Sequence, residues 1–148
     1  MMETPMDRID KILNHDLFLY HLGRNNAAEA DRRFCRHGMV HFLDVARIGT
    51  IIALEEGLKI DREWIYAAAL LHDCGKHEQY ENGIPHEQAS ARIAPEILKT
   101  CGFNDEETGV IVTAISRHRD PEAAKEKNLN GILYRADKAS RACFACDA

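Results

Sequence analysis

The sequence contains no run of apolar residues approaching the roughly 18 that a membrane-spanning helix requires. It also has no excess of basic residues, since its formal net charge is −5, which argues against a general nucleic-acid binder. The N-terminus carries acidic residues where a secretory signal would have a basic and then an apolar segment. We therefore expect no membrane contact, no nucleic-acid partner and a cytoplasmic location.

The cysteines are too few and too irregularly spaced to indicate a disulfide framework. The chain has five cysteines, an odd number without regular spacing, which suits a reducing compartment. Cys143 and Cys146 form a Cys-x-x-Cys pair, which could be half of a zinc or iron–sulfur site. No second pair lies nearby, so two inert thiols on one helical face are the simpler interpretation. We expect Cys74 to be a packing residue.

No segment shows the alternation of apolar and polar residues that is typical of strands. Apolar residues instead recur every three or four positions, which indicates helices. The length suits one domain with a core of its own. The sequence therefore predicts an all-α bundle of about six or seven helices and one domain over residues 1–148. Its clearest helices cover residues 7–22, 37–56, 86–98, 105–118 and 132–139, and another begins after residue 61 and runs into the His72-Asp73 segment.

Glycine, proline and asparagine mark the predicted helix ends. Gly23 is expected to end the first helix, and Asn25 with Asn26 to open a polar link. Gly57 is expected to end the second helix and Asp61 to cap the next one. Asn104 with Glu107 resembles a capping box for a later helix. The segment 77–85 contains Asn-Gly and a proline, so we expect a loop there that could form a rim or lid. Pro95 is expected to kink or restart its helix.

Metal-ligating residue types are concentrated at residues 70–76, Leu-Leu-His-Asp-Cys-Gly-Lys. An Ala-rich apolar helix leads into this segment, and Gly75 is placed to end it. His72 and Asp73 would then lie at a helix C-terminus, whose dipole favours a cation. Considered alone, the segment could equally be a surface turn.

Further candidate ligands are spread along the chain, which has eight histidines. His37 and His41 are four residues apart and share one helical face. His86 opens a predicted helix and His118 ends another. Asp137 lies in the last helix, in a partly apolar setting, although a lone helical aspartate is usually exposed.

The order of these residues resembles that of the HD-domain metal-dependent phosphohydrolases. His-Phe-Leu-Asp-Val-Ala at residues 41–46 is similar to the first segment of the family. Residues 70–76 resemble the central motif, including its trailing lysine. Leu-Tyr-Arg-Ala-Asp-Lys at residues 133–138 is similar to the last segment, whose aspartate completes the site. The resemblance spans residues 37–139.

The resemblance implies a divalent transition metal held by imidazole and carboxylate groups. The ligands it implies for a first ion are His41, His72, Asp73 and Asp137. In its dinuclear branches, histidines at the positions of His86 and His118 hold a second ion and the aspartate bridges. We therefore expect two ions, and the ligand types do not distinguish Fe, Mn, Zn, Ni and Mg. The alternative is that His86 caps its helix and His118 binds phosphate.

The reaction that the resemblance implies is hydrolysis of a phosphate ester or anhydride in a small molecule, most naturally a nucleotide, by metal-activated water. Asp73 and Lys76 are the candidate catalytic residues, with Lys76 neutralising a phosphate oxygen; its alternative is a C-cap lysine. Phosphomonoesterase, phosphodiesterase and pyrophosphohydrolase activities all fit. The branch that hydrolyses diadenosine tetraphosphate is similar, although Arg-Asp-Pro follows His118 where that branch has a Thr-rich segment.

Other functions remain compatible with the sequence. A regulatory HD module could bind metal or nucleotide without turnover, although such modules are expected to lose a ligand and none is missing here. A di-iron oxygenase could use the same ligands. The basic segment at residues 32–36 is most simply a solvated face, with phosphate contact as the alternative.

Overall fold

The computed structural model describes residues 6–30 and 38–140, so the predictions for His37, for the basic segment 32–36 and for Cys143 and Cys146 lie outside the described residues. The described ranges contain helices and no strand, which confirms the all-α class. The α-helices are α1 (Asp7–Leu13), α2 (Asp16–Ala28), α3 (Met39–Glu55), α4 (Arg62–Leu71), α5 (Lys76–Asn82), α6 (His86–Thr100), α7 (Asp105–Ser116) and α8 (Leu129–Ala139), and a 3-10 helix covers Pro121–Lys125.

Several helix ends lie where the sequence predicts them. Helix α3 closes before Gly57, whose φ of +67° is readily adopted by glycine. The side chain of Asp61 accepts a hydrogen bond from the backbone N–H of Glu63 and caps α4. Asn104 and Glu107 form the predicted capping box of α7. Local capping chemistry therefore fixes these boundaries.

The first predicted helix, residues 7–22, is two helices. Helix α1 ends at Leu13, and the His15 side chain accepts a hydrogen bond from the backbone N–H of Leu17, which caps α2. The prediction that Gly23 ends a helix is wrong, because α2 continues to Ala28. The predicted polar link at Asn25 is also wrong, since Asn25 is a fully buried residue of α2.

The predicted loop at residues 77–85 is mostly helix. Helix α5 occupies Lys76–Asn82, and only its end follows the turn signal, with Gly83 at a left-handed φ of +71°. The reason is that residues 76–81 include several good helix formers, so the Asn-Gly pair marks a helix end. Helix α6 runs through Pro95, so the helix does not restart there, while the alternative of a kink at Pro95 stays a prediction.

Helix α4 lies at the centre of the bundle. It packs against α3, α7, α8, α1 and α6, and its last five residues, Ala67 to Leu71, are fully buried. Small residues let neighbouring helices approach closely: a Cβ at Gly49 of α3 would lie 3.0 Å from Cγ2 of Ile65. The C-terminus of α4 therefore opens into the interior, where side chains from α3, α6, α7 and α8 can meet.

Within the described ranges, none of the helices has the length and apolar character needed to cross a membrane. The cytoplasmic location and the division of the chain into a single domain stay predictions.

Candidate metal centre

His72 and Asp73 lie in the turn between α4 and α5. Helix α4 ends at Leu71, so Gly75 does not end it, and the two residues stand just beyond its C-terminus. Both side chains are buried, with His72 Nε2 3.1 Å from Asp73 Oδ2. His72 still has helical backbone angles, with φ −63° and ψ −28°, and the turn that follows brings the Asp73 side chain close to the His72 ring.

A first group of candidate ligands forms around Asp73 Oδ2. His41 of α3 places Nε2 3.3 Å from that oxygen and 3.2 Å from Oδ1 of Asp137, which comes from α8. His72 Nε2 is 3.5 Å from the same Asp137 oxygen. One donor atom from each of these four residues lies within 4.8 Å of the others, a spacing that one metal ion could bridge.

A second group forms around the other oxygen of Asp73. His86 opens α6, and His118 stands two residues beyond the end of α7. Their Nε2 atoms each lie 3.4 Å from Asp73 Oδ1 and 3.1 Å from one another. Asp73 therefore belongs to both groups, with one carboxylate oxygen directed to each.

Backbone carbonyls fix the orientation of two histidines. Nδ1 of His72 lies 2.6 Å from the carbonyl oxygen of Ala69, and Nδ1 of His118 lies 2.7 Å from that of Ile115. A carbonyl oxygen only accepts hydrogen bonds, so each Nδ1 carries a proton. In the neutral imidazole Nε2 then has the free lone pair, which is the arrangement of a metal-ligating histidine.

The side chain of Gln79 fixes the orientation of the His86 ring. Its Oε1 accepts the backbone N–H of His86 at 3.1 Å and also lies 2.7 Å from His86 Nδ1. Lys76 Nζ is 3.4 Å from the same Nδ1. One nitrogen cannot donate to Gln79 and accept from Lys76 together, and the shorter contact decides in favour of donation to Gln79. His86 Nε2 is therefore also directed inward as an acceptor.

Lys76 is buried beside these groups, with 9% of its surface exposed. The C-cap interpretation of Lys76 is wrong, because α4 ends at Leu71 and Lys76 begins α5, with Gly75 as N-cap. A cation in the first turn of a helix is disfavoured by the helix dipole. The Lys76 ammonium group instead lies beside the His86 ring and 5.7 Å from the centroid of the Tyr80 ring.

The site is strongly polarised. Burial alone would raise the pKa of Asp73, but the imidazoles of His72, His118 and His41 hold it well below its usual value. Burial likewise opposes ionisation of Asp137, yet His41 and His72 lower its pKa. Burial would lower the pKa of His72, but Asp73 and Asp137 raise it to about 10. Without metal, the two carboxylates are thus anionic and His72 is protonated at neutral pH, so a metal would have to displace the Nε2 proton of His72 in order to bind there.

The donor set fits a divalent metal ion. Within the described residues, His72 Nε2 and both carboxylate oxygens of Asp73 are buried and make no hydrogen bond of good geometry. Buried polar atoms in that condition are costly, and metal coordination would satisfy them. All donors are imidazole nitrogens or carboxylate oxygens. Cys74 stays a packing residue, with burial raising the pKa of its thiol to about 12.

The turn between α4 and α5 is held tightly against α6. The backbone N–H of Gly75 donates a hydrogen bond to Ser90 Oγ at 2.9 Å. A Cβ at Gly75 would come within 2.7 Å of both the Ala89 Cβ and the Ser90 backbone nitrogen. Gly75 is therefore needed for close approach of the two backbones.

The structure brings together all six residues predicted as ligands and places Lys76 beside them; their roles as ligands stay predictions. Sequence reasoning missed three residues that support the site, namely Gln79, Ser90 and Asn25. Gln79 lies in the segment predicted as a loop and Asn25 in the segment predicted as a polar link, so neither was expected to face the interior. Ser90 has no signal of its own, because its partner Gly75 is fifteen residues away in the chain.

The fold and site define an all-α protein with two buried His/Asp groups that share one carboxylate. Residues 38–142 match the family model of the HD domain. The chain therefore belongs to the HD-domain family.

The chain is similar to a curated protein and to a solved structure, and the description of the solved structure agrees with this assignment. An uncharacterised protein from Clostridium beijerinckii (strain ATCC 51743 / NCIMB 8052) is 50% identical over 141 residues, which are 95% of this chain and 88% of that protein. A crystal structure at 1.45 Å of a predicted HD superfamily hydrolase from an uncultured Thermotogales bacterium has a TM-score of 0.63 and 28% identity. The match covers 81% of this chain and 66%, just under two thirds, of the other.

Proposed function

We propose that this protein is a metal-dependent phosphohydrolase that acts on an ester or anhydride of a small phosphorylated molecule, with a nucleotide as the favoured substrate. One observation carries the proposal: the carboxylate of Asp73 lies between two groups of inward-facing imidazoles, one group at each oxygen. Membership of the HD-domain family supports the same reaction class. The solved relative is described as a predicted hydrolase, which agrees with hydrolysis here.

The chain's own residues divide the work. His41, His72, Asp73 and Asp137 would hold one divalent ion, and Asp73, His86 and His118 a second. A metal held by these residues would supply a water of lowered pKa and would polarise a phosphoryl oxygen. Lys76 extends its ammonium group to the second group of ligands, where it would bind and orient an anionic phosphate oxygen.

The charges and protonation states in the second group of ligands favour the binding of a cation. Burial lowers the pKa of His86 to about 3, although Asp73 opposes this. His86 is therefore neutral at physiological pH, and its Nε2 lone pair needs no deprotonation before it binds. The Asp73 carboxylate supplies the negative charge at the same point.

The decisive experiment measures metal content and hydrolysis together. The purified protein is reconstituted separately with Mn, Fe, Zn, Ni and Mg, and phosphate release is followed on nucleoside mono- and diphosphates, cyclic nucleotides and dinucleoside polyphosphates. Metal-dependent release from at least one class is expected. Metal binding without any turnover would contradict the hydrolase and favour the regulatory module, and turnover that requires oxygen would favour an oxygenase.

The variant Asp73→Asn tests the residue on which the proposal depends. It keeps the side-chain volume but removes the anionic charge shared by both groups, so turnover should fall by several orders of magnitude. Asp44→Asn is the matched control, because Asp44 lies on α3 near His41 yet belongs to neither group. It should retain wild-type activity. Activity of Asp73→Asn within about tenfold of that control would refute the role of Asp73.

A further inference from the structure

Helix α2 contributes no candidate ligand, yet one of its side chains contacts the ligand-bearing turn directly. Asn25 is fully buried. Its Nδ2 donates a hydrogen bond to the backbone carbonyl of Asp73 at 2.8 Å, and its Oδ1 accepts one from the backbone N–H of His77, also at 2.8 Å. One carboxamide thus joins the two ends of the segment 73–77.

Backbone hydrogen bonding leaves the N–H of His77 without a partner and leaves the carbonyl of Asp73 with one spare acceptor position. The N–H of His77 lies in the first turn of α5, where backbone donors have no partner within the helix. The carbonyl of Asp73 already accepts the N–H of Lys76 at 3.0 Å, and Asn25 occupies its second acceptor position. Asn25 therefore acts as a cap supplied by a different helix.

The turn is consequently held from two sides. Asn25 of α2 binds its two ends, and Ser90 of α6 binds the N–H of Gly75 at its middle. Asp73 and Lys76 are the two side chains of this segment that face the metal centre. Their directions depend on the backbone that Asn25 and Ser90 hold.

We propose that Asn25 is a positioning residue of the metal centre, which holds the segment 73–77 so that the Asp73 carboxylate faces both ligand groups. The presence of a metal in this inference rests on the proposed function. The positioning of the turn by Asn25 rests on the observed hydrogen bonds. A purely structural role would be to attach α2 to α5, and other contacts already do so. His21 Nδ1 lies 2.9 Å from His77 Nε2, and Tyr80 Oη donates to Glu29 Oε2 at 2.6 Å.

These neighbouring contacts provide a matched control. Tyr80→Phe removes one part-buried hydrogen bond between α5 and Glu29, the C-cap of α2, but leaves the turn untouched. Asn25→Ala removes both bonds to the turn, and Asn25→Asp keeps an acceptor for His77 while losing the donor to Asp73. All variants are compared with wild type at a temperature where circular dichroism shows them fully folded.

Hydrogen exchange of the metal-free protein is the first readout. In wild type the His77 amide should exchange as slowly as the core amides of α4, because a buried carboxamide accepts its proton. Asn25→Ala should speed exchange across residues 73–77 at least tenfold, and Tyr80→Phe should not. Rapid exchange of His77 in wild type, or equal exchange in the two variants, would overturn the inference. The wild-type measurement decides even if a variant fails to fold.

Metal affinity is the second readout. Loss of a residue that orients a ligand typically weakens metal binding 10–100-fold. We expect a loss of that size for Asn25→Ala and Asn25→Asp, and wild-type affinity for Tyr80→Phe. Equal affinities in all three variants would overturn the positioning role. If wild-type protein binds no metal, the proposed function is refuted. The exchange experiment on the metal-free protein would still test whether Asn25 holds the turn.

Discussion

Asp73 connects the two ligand groups through a single carboxylate. Oδ2 lies close to His41 and His72, and Oδ1 lies close to His86 and His118. Because one oxygen serves each group, two ions could be bound without a second bridging carboxylate. Catalytic pairs of ions about 3.5–4 Å apart clamp the attacking and leaving oxygens of a displacement at phosphorus. The residue-scale prediction is therefore about how many ions bind.

Wild-type protein should approach two ions per chain at saturating metal. His118→Ala should retain about one, because it removes a donor from the second group only, while His41, His72 and Asp137 remain. His15→Ala is the control, since His15 caps α2 away from both groups. Elemental analysis after gel filtration measures the ratio. Saturation of wild type at one ion, unchanged in His118→Ala, would rule out two ions.

At the scale of the helices, Glu107 ties three elements together. Its carboxylate accepts hydrogen bonds from Arg8 Nη1 of α1 at 2.9 Å and from Trp64 Nε1 of α4 at 2.7 Å, while its own helix is α7. It also accepts the backbone N–H of Asn104 in the capping box. Burial would raise the pKa of Glu107, but these donors lower it.

A lowered pKa in the folded state gives a contribution to stability with a defined sign. It is present above the unfolded pKa of about 4.3 and is lost as the pH falls through the folded pKa. Glu107→Gln should therefore lower the free energy of unfolding by roughly 1–2 kcal/mol at pH 7 and by progressively less below pH 4. Urea unfolding at several pH values measures this. A difference that does not depend on pH would show that the charge is unimportant.

Local signals predicted those helices whose boundaries depend on local chemistry. The caps at Asp61 and Asn104 act within three residues of themselves, so the sequence reveals them. The prediction of a polar link at Asn25 fails because the hydrogen-bonding partners of Asn25 lie about fifty positions further along the chain. The tertiary contact overrides the preference of glycine and asparagine for helix ends and turns, and no feature of residues 23–26 predicts that contact.

The candidate site was more predictable than the packing around it. The order and motif context of four candidate ligands resemble those of the HD-domain family, so these residues could be chosen from the sequence: His41, His72, Asp73 and Asp137. Gln79 and Ser90, which orient His86 and the ligand-bearing turn, belong to no such pattern. Their roles are visible only when α5 and α6 are seen side by side.

At the scale of the whole molecule, the candidate ligands come from across the fold. They lie on α3, the turn after α4, the start of α6, the segment after α7, and α8. A metal at this point would bridge elements between residues 41 and 137. Metal that binds only the folded chain stabilises it by mass action.

Removal of metal should therefore lower the midpoint of thermal unfolding. A free metal concentration about 100 times its Kd stabilises a protein by roughly 2.7 kcal/mol, which corresponds to about 5–10 °C for a domain of this size. Circular dichroism with and without a chelator measures the shift. Asp73→Asn should show little or none, since both groups lose their shared ligand. An equal shift in this variant would place the stabilising metal elsewhere.

The distribution of the ligands also sets an order of events during protein synthesis. A chain emerging from the ribosome presents its N-terminal part first. His41, His72 and Asp73 emerge early, His86 and His118 follow, and Asp137 of α8 comes last. The group that contains Asp137 cannot be complete until α8 has been translated and has packed against α3. If the proposed ligands hold a metal, this group acquires its full set of ligands only after α8 has been made, so its ion is bound by a chain that already contains α1 to α8.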